Sequence, residues 1–206
     1  MSTTVLGKFI TFEGIDGAGK TTQINALHAW LEAQGIEVVR TREPGGTPLG
    51  EKIRELLLHD DMDVTAETLL FFASRAEHIA KVIAPAVGRG AWVLSDRFTD
   101  ATYAYQVGGK GYDPAKVEML EMLVQGSLQP DCTVLFDIDP AIAAKRLASA
   151  RVADRFEKEN IDFFTRVRNA YLRRAAKSSE RFLILDSSKA PEVITQELLD
   201  KAKQWK

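Results

Sequence analysis

The chain has 206 residues, 45% of them hydrophobic, with a formal net charge of −2. That length supports one sizeable core with room for a small lid, so residues 1–206 are expected to form a single domain. The nearly balanced charge gives no electrostatic case for a nucleic-acid polymer or an anionic membrane, although local basic clusters can still grip small phosphates.

The start, Met1-Ser2-Thr3-Thr4, has neither a basic n-region nor an apolar h-region, and no later run approaches the length of a membrane span, so a cytoplasmic location is expected. The first apolar run, Phe9 to Phe12, reads as a strand and leads into G-I-D-G-A-G-K-T at 14–21. This matches G-x-x-x-x-G-K-[ST], the phosphate-binding loop. Glycine lets successive backbone N–H groups turn inward around an anion, which a Cβ would obstruct. The apolar spacing from Thr22 to Leu31 is helical, so the positive end of a helix dipole adds to the charge of Lys20. Gly14, Gly17, Ala18, Gly19, Lys20, Thr21 and Thr22 are thus candidate contacts of a nucleoside triphosphate, with the Thr21 hydroxyl suited to Mg²⁺. Asp16 occupies a position where the motif demands no particular side chain, and both a ligand contact and a loop-stabilising Asx turn fit it.

The second strand-like run, Val38 to Thr41, is followed by T-R-E-P-G-G-T at 41–47. Arg42 and Glu43 precede two glycines, which suits close approach to a ligand and equally a turn that needs Pro44, Gly45 and Gly46. In L-L-F-F-A-S-R at 69–75, Phe71 and Arg75 lie four apart and face the same way on one helix, so a ring and a cation can meet one ligand. Leu69, Leu70 and Phe72 read as core. After the third run, Trp92 to Ser95, stand Asp96, placed for a metal or a helix N-cap, and Arg97, whose fork can meet two phosphate oxygens or serve a structural ion pair. Asp113-Pro114 and Asp139-Pro140 mark helix starts. Thr133 to Ile138 and Phe182 to Leu185 complete five strand-like runs, and Cys132, the only cysteine, reads as a buried strand position without a disulfide partner. His28, His59 and His78 lack metal-ligand spacing and read as surface or helix residues. Alternating strands and helices imply a parallel sheet covered on both faces, with ligands at the carboxyl ends of the strands. A guanine-reading Asn-Lys-x-Asp segment is missing, which disfavours a GTPase-type switch.

The motifs F-E-G-I-D-G-A-G-K-T-T, T-R-E-P-G-G-T, F-F-A-S-R, D-R-F, A-Y-Q-V-G-G, Gln129-Pro130-Asp131 and Asp154-Arg155-Phe156-Glu157, in this order, resemble the bacterial type of the thymidylate kinase family over nearly the whole chain. The resemblance implies a P-loop kinase fold with a five-stranded parallel sheet, helices on both faces and a short mobile lid at about 149–159. It further implies Mg²⁺, ATP as phosphoryl donor, dTMP as acceptor, in-line transfer to dTDP in dTTP biosynthesis, and a homodimer. By the same resemblance Lys20, Arg97, Arg155 and Asp16 are catalytic, Arg151 contacts ATP, and Thr21 and Asp96 serve the metal. The acceptor contacts are then Asp16, Arg42, Glu43, Phe71, Arg75, Arg97, Thr102 and Tyr105. Gly17 stands where eukaryotic-type members carry an arginine, so the lid stretch with Arg151 and Arg155 is expected to supply that cation.

Overall fold

A computed structural model describes residues 7–147, 155–156 and 159–205. All five strands expected from the apolar runs form: β1 Phe9–Glu13, β2 Val38–Arg42, β3 Trp92–Asp96, β4 Cys132–Asp137 and β5 Phe182–Asp186. They build one all-parallel sheet in the order β2-β3-β1-β4-β5. β1, β3 and β4 are apolar almost throughout because both faces are covered, whereas the edge strand β2 is only half-buried and carries Arg40 and Arg42.

The period of two along β1 sorts its side chains. Ile10 and Phe12 share a core with Leu94, Val134 and Phe136 of the neighbouring strands and with Leu27, Leu31 and Leu198 of α1 (Lys20–Glu32) and α9 (Pro191–Ala202). Phe9 joins Val93, Ile83, Ala86 and Phe98 in a separate cluster. On the same face as Phe9, Thr11 and Glu13 project into a buried polar layer. Thr11 and Thr133 hydroxyls lie 2.9 Å apart, and Asp100 accepts hydrogen bonds from Thr133, Arg174 and Arg181. Burial works against the Asp100 carboxylate, but Arg181 and Arg174 outweigh it and hold its pKa below the ordinary value.

The remaining helices are α2 Pro48–His59, α3 Val64–His78, α4 Ala84–Gly88, α5 Thr99–Thr102, α6 Pro114–Gln125, α7 Pro140–Leu147 and α8 Ile161–Lys177. As expected from the Asp-Pro pairs, Asp113 caps α6 by accepting from Ala115 N, and Asp139 accepts from Ala141 N at the start of α7. α3 and α5 each run on into a π-helical segment, Ile79–Ile83 and Tyr103–Gly109. The second carries Tyr105 and Gln106, in keeping with the frequency of such segments at functional sites. It packs directly on α8, and a Cβ at Gly108 would lie 2.4 Å from that of Ala170. Leu69 corrects one expectation: it is half-exposed on α3 instead of in the core, beside α6, which exposes Met119, Met122 and Leu123. Cys132 is buried as expected, and burial pushes its thiol up to about 12. Among the described residues no helix is long and apolar enough to cross a membrane.

The tight approach of Tyr103–Gly109 to α8 is expected to make Gly108→Ala cost about 1–3 kcal/mol through overpacking, read as a lower Tm. Gly88, whose Cβ would meet nothing within 4 Å, is the control. Gly88→Ala is expected to be neutral or to stabilise by about 0.4–1 kcal/mol in the same thermal scan.

Candidate active site

At the end of β1 the chain turns through Gly14, Gly17 and Gly19, with φ of 135°, 81° and 83°, before α1 begins at Lys20. No side chain caps α1, and nothing lies within 4 Å of where a Cβ on Gly19 would sit, so the first amides of the helix face an open cradle. An anion is the natural partner of such a helix start. Lys20 is folded back over the loop, its Nζ donating to the carbonyls of Gly14 at 3.2 Å and Ile15 at 3.3 Å and lying 3.8 Å from Asp16 Oδ1. Burial, then the neighbouring Arg97, lowers its pKa, a bias that an arriving anion would reverse. Thr21 and Thr22 are exposed beside it.

Thr21 and Asp96 line one cavity at the carboxyl end of β3, and Asp96 Oδ1 is buried there with no hydrogen-bond partner. A carboxylate oxygen and a hydroxyl are the donors that a hard divalent cation takes, so these residues fit Mg²⁺. Arg42 lines the same cavity, exposed and paired with Glu51 at 2.8 Å. It stands apart from the other acceptor candidates.

A second cavity adjoins the phosphate loop and brings together Asp16, Glu43, Phe71, Arg75, Arg97, Thr102 and Tyr105. Arg75 is 1% exposed; its Nε donates to Glu43 Oε2 at 2.7 Å and its Nη2 to Thr102 Oγ1 at 3.3 Å, while Nη1 has no partner. The guanidinium is also sandwiched by Phe72 and Phe98 at 4.7 and 5.2 Å. Glu43 spends its other oxygen on His78 Nδ1 at 2.9 Å, and His78 Nε2 meets the Thr41 hydroxyl. Glu43 therefore orients Arg75, with both carboxylate oxygens engaged. His78 lies on α3 but is wholly buried, so the surface half of its expected placement is corrected.

Arg97 sits where the two cavities' elements meet. Its backbone is left-handed, φ 74°, unusual for a residue with a Cβ and a mark of strain held in place by its surroundings. Its Nη2 donates to Asp16 Oδ1 at 2.9 Å and to the Tyr105 hydroxyl at 3.0 Å; its Nη1 donates to the Tyr171 hydroxyl at 3.1 Å. Burial opposes its charge, but Tyr105, Asp16, Tyr171 and Asp96 outweigh that and hold its pKa well above the ordinary value. A phosphate-sized anion cradle, oxygen donors for a cation, a second cavity with a preset guanidinium, and a permanent cation between them are the parts that phosphoryl transfer between two bound substrates requires.

The thymidylate kinase family profile matches residues 12–198. The chain is 56% identical to a thymidylate kinase of Methylobacillus flagellatus over 200 residues, covering 97% of this chain and 98% of that one. It is 57% identical to one of Paraburkholderia xenovorans over 196 residues, covering 93% and 95%. A crystal structure of thymidylate kinase from Ehrlichia chaffeensis superposes with a TM-score of 0.77 at 35% identity, covering 95% of this chain and 98% of that one. The chain belongs to the thymidylate kinase family. Membership makes it an enzyme, a kinase of the nucleoside monophosphate class.

Several residues of this thymidylate kinase site escaped sequence reasoning. Glu67, fully buried behind Gln106, which lines the second cavity, accepts from Gln106 at 2.9 Å, Lys110 at 2.6 Å and Arg155 at 2.5 Å. Arg155 also donates to the Leu57 carbonyl at 2.9 Å and lies 4.8 Å over the ring of Phe156, which lines the cavity. It is thus docked beside the second cavity. Arg151 lies outside the described residues. Glu67 stands among Thr65, Ala66 and Thr68, so its neighbours in the chain carried no signal for this cluster.

Glu13, at the end of β1, is fully buried; desolvation first, then Asp100, raises its pKa to about 8 against the pull of Arg97. Because the folded value exceeds the ordinary 4.5, the native state binds the extra proton, and the stability it lends is present below about pH 4.5 and lost as pH rises through about 8. Comparing Tm across that window, Glu13→Gln is expected to decline less steeply than the native chain.

Proposed function

We propose that this enzyme phosphorylates dTMP to dTDP with ATP by in-line transfer, with no covalent intermediate, in the supply of dTTP. The observation that carries the reading is Arg75 Nη1, a buried, unpartnered donor beside Phe71 in the cavity next to the phosphate loop. It suits a pyrimidine carrying an acceptor at position 4, stacked on Phe71. Thymine has a carbonyl there; cytosine has an amine. Thr102 adds a hydroxyl on the same edge, and Tyr105 crowds the place of the sugar's 2′ carbon. Asp16 reaches the 3′-hydroxyl side.

Gly14, Gly17, Ala18, Gly19 and Thr22 enclose the donor's phosphates, and Lys20 exchanges the loop carbonyls for phosphate oxygens. Thr21 and Asp96 would hold Mg²⁺, which neutralises phosphate charge when bound. Arg97 exchanges Asp16 for the acceptor phosphate, bringing it toward the phosphoryl group in transit. The cation that Gly17 leaves missing comes from the lid: Arg155 departs from Glu67, or Arg151 serves. Arg42 assists from the edge of the metal cavity. The chain works in the cytoplasm as one kinase domain and pairs into a homodimer. The apolar face of Leu69, Met119, Met122 and Leu123 supports that pairing, since exposed apolar surface of this kind suits an isologous contact.

A coupled ADP-release assay across the monophosphates tests the reading, with dTMP expected to exceed dCMP, dGMP and dAMP. Equal turnover of dCMP would remove the base-reading role from Arg75. Arg155→Ala is expected to lower kcat at saturating ATP by roughly 10²-fold, the scale of an arginine finger, with little change in dTMP affinity. If kcat stays within about threefold and only the KM for ATP rises, the finger lies elsewhere on the lid.

A further inference from the structure

Glu13 and Tyr171 lie beneath Arg97 and line neither cavity. Both are buried. Glu13 Oε1 accepts from the backbone N of Phe98 at 2.7 Å, and its Oε2 accepts from the Tyr171 hydroxyl at 2.7 Å. That hydroxyl in turn accepts from Arg97 Nη1 at 3.1 Å. One carboxyl group therefore grips the chain directly after Arg97 and, through one hydroxyl, the guanidinium itself. The backbone it grips is strained: Arg97 has φ 74°, with its N donating to the Phe12 carbonyl and its own carbonyl accepting from Ser95 Oγ.

Packing alone does not call for these polar atoms. A phenylalanine would fill the site of Tyr171, and a carboxyl buried near Asp100 is costly unless its partners use it. The three hydrogen-bonding contacts of the guanidinium also differ in kind. Asp16 and Tyr105 bond Nη2 from within the acceptor cavity and are the ones an incoming phosphate displaces. Tyr171 bonds Nη1 from the protein interior and is left in place.

We propose that Glu13 and Tyr171 are positioning residues for phosphoryl transfer, holding the Arg97 fork at a fixed angle while its other nitrogen exchanges protein contacts for phosphate. The inference rests on the role given above to Arg97. It places the effect of both residues on turnover, since alignment matters most where charge spreads over the transferring oxygens.

The test uses the full chain with dTMP and ATP, measuring kcat, both KM values and Tm for Tyr171→Phe, Glu13→Gln, Arg97→Lys and the double variant Tyr171→Phe/Arg97→Lys. Tyr171→Phe is expected to lower kcat about tenfold, the scale of one hydrogen bond to a charged group, with the KM for ATP within about twofold. Glu13→Gln is expected to lower kcat in the same direction. On the Arg97→Lys background, Tyr171→Phe is expected to change kcat by less than about twofold, because the fork it steers is gone. An undiminished effect there, or a folded Tyr171→Phe enzyme with kcat within about twofold of the native chain, overturns the inference while leaving Arg97 its role. An Arg97→Lys enzyme with native kcat overturns both. Should Glu13→Gln fail to fold, the Tyr171 and Arg97 cycle decides alone.

Discussion

The structure is organised around a positive charge that has to be kept out of water and in one orientation. Arg97 stands between a loop built for phosphate and a cavity built for a second ligand, where burial opposes its ionisation and four oxygen-bearing side chains sustain it. A lysine could carry the charge but not the fork, which bonds Asp16 and Tyr105 through one nitrogen and Tyr171 through the other. Its left-handed backbone places the side chain where a regular strand-to-helix turn would not. Strain of this type persists when the surroundings over-determine it, and here the surroundings are β1, β3 and α8 at once.

That requirement explains the polar layer under an otherwise apolar sheet. β1 is buried along its whole length, yet it turns Thr11 and Glu13 toward α8 and Asp100. The layer is closed by Arg174 and Arg181, so each buried acid in it meets a donor. Arg75 follows the same logic on the far side of the cavity. Thr41, His78 and Glu43 form a chain whose last member locks the guanidinium and leaves one nitrogen for a ligand. Two arginines are thus preset from behind by other protein side chains.

The architecture was legible because it follows from local periodicity. Five apolar runs became five strands within a residue or two of their expected limits, and the glycine pattern at 14–19 could mean little else between a strand and a helix. The grouping of residues expected to face a ligand was legible through motif and resemblance: Phe71, Arg75, Arg97, Thr102 and Tyr105 do share one cavity. What stood behind them was not. Glu67, His78, Glu13 and Tyr171 meet their partners across 35 to 158 residues, and nothing in their immediate neighbours signals it. Leu69 failed for a related reason, since an apolar residue on a helix looks the same whether its face meets the core or another surface.

In the proposed reaction, acceptor and donor meet across Arg97 and the base is read by Arg75. A crystal structure of the enzyme with dTMP and a non-hydrolysable ATP analogue tests it most directly. Such a complex is expected to show thymine against Phe71 with its O4 about 3 Å from Arg75 Nη1, the acceptor phosphate on Arg97 in place of Asp16, and the triphosphate in the loop of residues 14–20. A dTMP whose phosphate lies away from Arg97, or whose base leaves Arg75 Nη1 without a partner, would contradict it.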